Sequence, residues 1–260
     1  MLPLHACELP TGRNIIQESD GTWRRVYEDV GVRVDAAPIS HSVPCVGYVL
    51  TEADVPMAVD AKTMIPLVKK SGAPMSVLGR VQKGEDVVLP DGVVLKGVGK
   101  RPGRKIVILG DTNDPASCEA IVELARGADV LVHEATNAYL PNVPLELGGS
   151  KVGETAESVR VRAMSRGHST PEMAGTFARR IDAKMLVLNH FSARYACPVG
   201  DEDGDGDGDE ADEKMCGGRD KEYEARRVMS AIKTLAVRSF GSDRVVCARD
   251  WESVSVKSVK

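Results

Sequence analysis

The sequence predicts a layered α/β fold, on three observations. Lys105–Leu109 (KIVIL) is a continuous apolar run that stops abruptly at Gly110-Asp111-Thr112, the pattern of a strand buried on both faces. ADVLVHEAT and AKMLVLNHFSARY repeat that pattern further along, each closing in polar residues. Segments with helical spacing separate the runs, and strand-helix-strand alternation stacks helices on a sheet.

Taken in order, residues from Tyr27 to Leu50 read as Val-rich paired strands punctuated by Pro and Gly, with His41 at a strand-to-strand junction. A mixed stretch follows, in which EDVVLPDGVVLKG places two short strands about an Asp-Gly turn, a hairpin. Ser117 to Arg126 has helical spacing. STPEMAGTFARRID reads as a helix with Thr170 as N-cap, Pro171 at the first helical position and Glu172 adding favourable charge to the first turn. DKEYEARRVMSAIKTLAVRSF is an amphipathic helix, and RVVCARDWESVSV reads as a closing pair of short strands. No segment repeats at a solenoid period.

Composition bounds the rest. At 260 residues and 42% hydrophobic, the chain can bury one sizeable domain or two small ones. No apolar stretch approaches the roughly 20 residues of a membrane span, and MLPLHACELPTGRN has no charged segment followed by an apolar one, so no membrane partner and an intracellular location are expected, with nucleus, cytosol and organelle undistinguished. The six cysteines show no C-x-x-C pairing and read as free thiols. The formal charge is -4, but nine carboxylates lie between Asp201 and Glu213; without them the remainder carries +5 by the same count, a body compatible with RNA. Within that run Asp201, Asp203, Asp205, Gly206 and Asp212 have calcium-loop spacing. Flanking helices and an apolar mid-loop residue are missing, so the stretch reads as a low-complexity acidic insertion over 200–218.

Four of the five histidines, His41, His133, His168 and His190, stand at or beside the ends of expected strands, as does Asp111. Strand ends in α/β folds gather at one edge of the sheet, where ligands collect. Imidazoles with a carboxylate suit zinc, and a bridging carboxylate can hold two ions about 3.5–4 Å apart. Singly, each of these residues is an ordinary turn, cap or hydrogen-bonded strand end. Their ordered recurrence is what points to chemistry.

The ordered set HSVPCVGY, GRKIVILGDT, VLVHEAT, HST and LNHFSARY resembles the distal motifs of the ribonuclease Z family, over roughly Thr22 to Tyr195 and again near Ala248-Arg249-Asp250. The resemblance implies the C-terminal part of a metallo-β-lactamase-like αββα sandwich spanning 1–260, with a surface insertion at 137–167 where the spacer between HEAT and HST is long. It implies zinc as cofactor, two ions in the complete site, with His41 as third histidine ligand of one, Asp111 as the bridge and His190 as terminal ligand of the other. Glu134 and His168 match a carboxylate-histidine pair at the leaving-group side, and His133 becomes a neighbour of the site. GAPMSVLGRVQKGEDVVLPDG is similar to a Gly- and Lys-containing loop near the tRNA acceptor end, through Gly79, Lys83 and Gly84; a solvated approach to the hairpin is the equal alternative. The implied activity is zinc-dependent endonucleolytic cleavage of pre-tRNA just after the discriminator nucleotide, leaving a 3′-hydroxyl.

One departure matters. The family carries H-x-H-x-D-H upstream of the third histidine, and here only His5, in PLHACELP, precedes His41. Of the seven ligands implied, His41, Asp111 and His190 remain, too few to close either tetrahedral site. A reading frame opening at an internal methionine, a split enzyme whose N-terminal half is another chain, a homodimer, and a degenerate copy acting as a non-catalytic RNA-binding or partner subunit are the open accounts. A generic zinc phosphodiesterase acting on small substrates is the other enzymatic alternative.

Overall fold

In the computed structural model the described residues are 14–196 and 215–256, with the backbone alone described over 215–221. In chain order they form β1 (Trp23–Glu28), β2 (Val32–Ile39), β3 (Cys45–Glu52), β4 (Val55–Pro56), α1 (Ala61–Ser71), α2 (Val77–Gln82), β5 (Val87–Val88), β6 (Val94–Leu95), β7 (Lys100–Arg101), β8 (Lys105–Ile108), α3 (Glu119–Ala125), β9 (Val130–Glu134), α4 (Ala156–Ser165), α5 (Pro171–Arg180), β10 (Leu186–Asn189), α6 (Met215–Phe240) and β11 (Val245–Cys247). The chain divides into two compact units. One holds the described residues of 1–28, 34–50 and 105–256; the other holds 29–33 and 51–104.

The first unit is built on a seven-stranded sheet in the order β1-β2-β3-β8-β9-β10-β11. Strands β8, β9, β10 and β11 run parallel, with Ile106 opposite Val130, Leu186 opposite Leu131 and Leu188 opposite Cys247. The three apolar runs of the sequence are therefore adjacent strands whose carboxyl ends share one edge, as expected of an α/β sheet. Val107, Leu131, Leu186 and Leu188 pack in one core with Ile121 of α3, Phe177 of α5, Ile181 at the C-cap of α5, and Ile232 of α6, all fully or almost fully buried. A buried side chain of this size contributes about 1.5–3 kcal/mol.

Helix α5 starts as the sequence requires: the Thr170 side chain accepts from Met173 N at 3.4 Å, with Pro171 beside it. It packs closely on α6. A Cβ at Gly175 would stand 2.5 Å from Ala236 O, so only glycine permits that approach. Asp129 ties the other end of the sheet, accepting Lys105 N at 2.8 Å and Lys184 Nζ at 2.7 Å.

Three expectations are revised. Residues 137–167 are not confined to the surface: Ala138, Leu140, Val159 and Ala163 are buried, and α4 is closed by a Thr155–Ser158 capping box. The closing pair of strands is a single strand, β11, among the described residues. After Ala248 N donates to Leu188 O (2.8 Å) the chain turns away, with Glu252 N on Arg249 O (3.2 Å) and Trp251 exposed at φ 64°. The acidic insertion and its calcium-loop spacing lie outside the described residues, apart from Met215–Gly218, whose backbone opens α6.

The second unit has its own small core of Val68, Val81, Val87, Leu89 and Leu95. Its hairpin is as expected: β5 pairs antiparallel with β6, Val87 opposite Leu95, and Gly92 takes φ 84° in the turn. Helix α1 was not legible, because Pro66 interrupts its pattern; Asp60 caps it by accepting Thr63 N, and Gly72 closes it at φ 71°. The Gly- and Lys-containing segment is helical where a loop was expected. Gly79 lies inside α2, Lys83 is its C-cap, and Gly84 follows at φ 92°, because Val81 buries completely on this core.

Candidate active site

Four ligand-type side chains meet at the carboxyl edge of β8, β9 and β10. Asp111 follows β8, Glu134 ends β9, His168 precedes α5 and His190 follows β10. Asp111, His168 and His190 each present a donor atom within 4.8 Å of the others, a group able to hold a metal ion. His190 turns toward it through a left-handed backbone, φ 54°, a conformation that costs a non-glycine residue about 1–2 kcal/mol.

Glu134 is the anchor. Its carboxylate is 1% exposed, yet all its acceptor positions are served: Oε1 takes Thr112 N at 2.6 Å and faces His168 Nδ1 at 3.1 Å, while Oε2 takes Ser169 N at 3.2 Å and the Thr136 hydroxyl. A buried carboxylate is tolerated only when saturated in this way. Thr112, itself fully buried, extends the lattice: its hydroxyl donates to Ser40 O at 2.8 Å, and its carbonyl accepts the Ser169 hydroxyl. The GDT, HEAT and HST segments and the residue before His41 are thereby locked together.

Hydrogen bonding assigns the same tautomer to three imidazoles. His168 Nδ1–H donates to Glu134; His41 Nδ1–H donates to Gly167 O at 2.7 Å; His190 Nδ1–H donates to Thr136 Oγ1 at 2.8 Å, whose own proton goes to Glu134. Each ring keeps the Nε2 lone pair free. This is the outer-shell arrangement that orients metal-ligating histidines. The rings lie side by side, with centroids 5.4 Å apart for His41 and His168 and 5.3 Å for His168 and His190.

The donor set also passes a test of spacing. His190 Nε2 and Asp111 Oδ1 stand 3.6 Å apart, too long for a hydrogen bond. Two ligands of a tetrahedral zinc at about 2.0–2.1 Å stand roughly 3.4 Å apart, so the pair suits a shared ion.

The structure brings His41, Asp111, Glu134, His168 and His190 into one neighbourhood, with His168 inside the 4.8 Å group and His41 beside its ring. His133 stands apart as expected: it is buried against Phe177, its Nδ1 bonds Glu134 O at 2.7 Å, and burial pushes its pKa down. Gly79, Lys83 and Gly84 belong to the second compact unit. Sequence reasoning missed Thr112, Thr136, Ser169 and Gly167. The first three stand inside the motifs GDT, HEAT and HST, so their hydroxyls were visible as candidates for holding the carboxylate. Gly167 gave no such signal: it serves His41 through its carbonyl, 126 residues away in sequence, and at φ 83° it leaves no room for a Cβ, which would lie 2.4 Å from His41 Nδ1.

No protein-family model matches the chain. Among curated proteins it is similar to ribonuclease BN of Enterobacter sp., 36% identical over 185 residues that cover 70% of this chain and 52% of the relative. It is similar to ribonuclease Z of Brevibacillus brevis at 39% over 69% of this chain and 49% of the relative, and to ribonuclease Z of Streptococcus pneumoniae at 36% over 66% and 49%. Among solved structures, human tRNase Z, short form, covers 74% of this chain and 49% of its own at 26% identity and a TM-score of 0.40. The chain spans about half the length of the curated relatives it matches. On that sequence identity, joined to the motifs assembled at the sheet edge, the chain belongs to the ribonuclease Z family.

Proposed function

We propose that this chain supplies part of the active site of a zinc-dependent tRNA 3′-processing endoribonuclease. The observation that carries the reading is the convergence of Asp111, His168 and His190 on the saturated, buried Glu134. Asp111, His190 and His41 would hold zinc through a carboxylate oxygen and Nε2 lone pairs. When bound, zinc lowers the pKa of a water to about 7 and offsets charge building on the phosphate.

The protein's own contribution is a positioned acid. Glu134 fixes the His168 ring through Nδ1, so Nε2 is the atom left to carry and release a proton. As hydroxide adds to phosphorus and the P–O3′ bond breaks, O3′ takes that proton. The upstream RNA leaves with a 3′-hydroxyl, and the phosphate stays on the trailer. His41, Asp111 and His190 leave both tetrahedral zinc sites short of donors, so full turnover requires the donors of an H-x-H-x-D-H segment.

The test is cleavage of a pre-tRNA by the chain with zinc, with and without a polypeptide carrying that string. Selective cut after the discriminator nucleotide in the supplemented reaction is expected, and His168→Ala should lower turnover by about 10²–10⁴. Hydrolysis of bis(p-nitrophenyl) phosphate with no selective cut in pre-tRNA would overturn the reading.

A further inference from the structure

A second concave site opens on the far side of β10, between α6 and β11. Arg226, Met229, Ser230 and Lys233 line one wall of a cavity of about 310 Å³, and Cys247 and Arg249 line the other. Helical spacing accounts for the first wall, since positions 226, 229, 230 and 233 share one face of α6. The second wall is where β11 ends: Leu188 pairs with Cys247, and Ala248 N donates to Leu188 O, two residues before His190. The cavity thus opens on the same carboxyl edge of the sheet as the candidate active site.

Its charge is unbalanced. Three cations line it, of which Arg226 is held by Glu222 one turn away, and the one carboxylate of the lining, Glu252, accepts Arg249 N at 3.1 Å. Outside the cavity on α6, Arg227 is likewise held by Glu224 one turn away. Among the described residues the Lys233 ammonium and the Arg249 guanidinium have no such acid. The floor adds no anion, because burial pushes the Cys247 thiol up to about 11 and its Sγ lies 3.7 Å from Met229 O, leaving it a neutral donor. Ser230 adds a hydroxyl-bearing side chain to the lining.

We propose that this cleft binds a backbone phosphate of the RNA strand, with Lys233 and Arg249 as the principal contacts and Arg226 and Ser230 beside them. The inference rests on the proposed action on RNA: a strand crossing the carboxyl edge from the Asp111–His190 cluster passes β10 and arrives at β11. Contacts to phosphate position a strand without reading its sequence.

The experiment measures equilibrium binding of a short single-stranded RNA by the full chain across a salt series, for wild type and for Lys233→Ala with Arg249→Ala. All three cations are exposed, so folding is not at stake, and thermal melting confirms it. The double variant should bind about tenfold more weakly with a shallower log–log salt slope, by about 0.7 per lost contact, and Lys233→Arg with Arg249→Lys should restore both. Inorganic phosphate is titrated in parallel. Unchanged RNA affinity in the double variant, absence of RNA binding by wild type, or a variant effect on free phosphate alone would each overturn the proposal. Zinc-dependent cleavage is scored separately, so a chain that needs the cleft for RNA yet cuts no pre-tRNA would reject the proposed activity and leave the cleft standing.

Discussion

Glu134 shows at the level of one residue how the site and the stability of the fold are joined. Its carboxylate is buried, and backbone donors from Thr112 and Ser169 depend on it. Glu134→Ala leaves those donors without a partner and should cost about 3 kcal/mol, read as a shift in the denaturant midpoint. An unchanged midpoint would show the lattice to be dispensable. Gly167→Ala places a methyl against the His41 ring in a left-handed backbone, and a loss of about 1–3 kcal/mol together with weakened metal binding is expected. His133 gives a pH signature. Burial holds its imidazole below the usual histidine range, so from about pH 6.5 downward the unfolded chain binds a proton that the folded chain refuses. Stability should therefore fall as pH drops through that window, and His133→Gln should flatten the decline in melting temperature measured between neutral pH and about 5. Equal slopes for the two proteins would assign the decline to other groups.

At the level of elements, the runs that became β8, β9 and β10 were legible because burial on both faces leaves a continuous apolar signature, and α5 because Thr170 and Pro171 mark its start. Thr170→Ala should lower stability by about 1 kcal/mol in chemical denaturation, the usual worth of such a cap. Helix α1 was hidden by Pro66, and α2 by a glycine and lysine that read as loop residues. The second strand expected after β11 failed because turn contacts at Arg249 and Glu252 outweighed the apolar alternation of RVVCARDWESVSV. In the site, His41, His190 and Asp111 were legible from their places beside strand ends, whereas His168 lies between α4 and α5 and not at the strand end expected of it, and the roles given to all of them came from the family resemblance. The hydrogen bonds that select the imidazole tautomers were not legible, since Gly167 with His41 and Thr136 with His190 join residues far apart in sequence.

At the level of the whole molecule, the seven-stranded sheet collects motifs spread over about 150 residues onto one edge, and the donors assembled there fit a metal. In the proposed function two jobs are separate within that cluster: Asp111 would bind the ion, and His168, held by Glu134, would move a proton. The most direct test is zinc bound per chain with the H-x-H-x-D-H polypeptide present, by equilibrium dialysis and elemental analysis, for wild type, Asp111→Ala and His168→Ala. Loss of zinc in Asp111→Ala with retention in His168→Ala is predicted; an equal loss in His168→Ala would make that histidine a ligand and contradict the account.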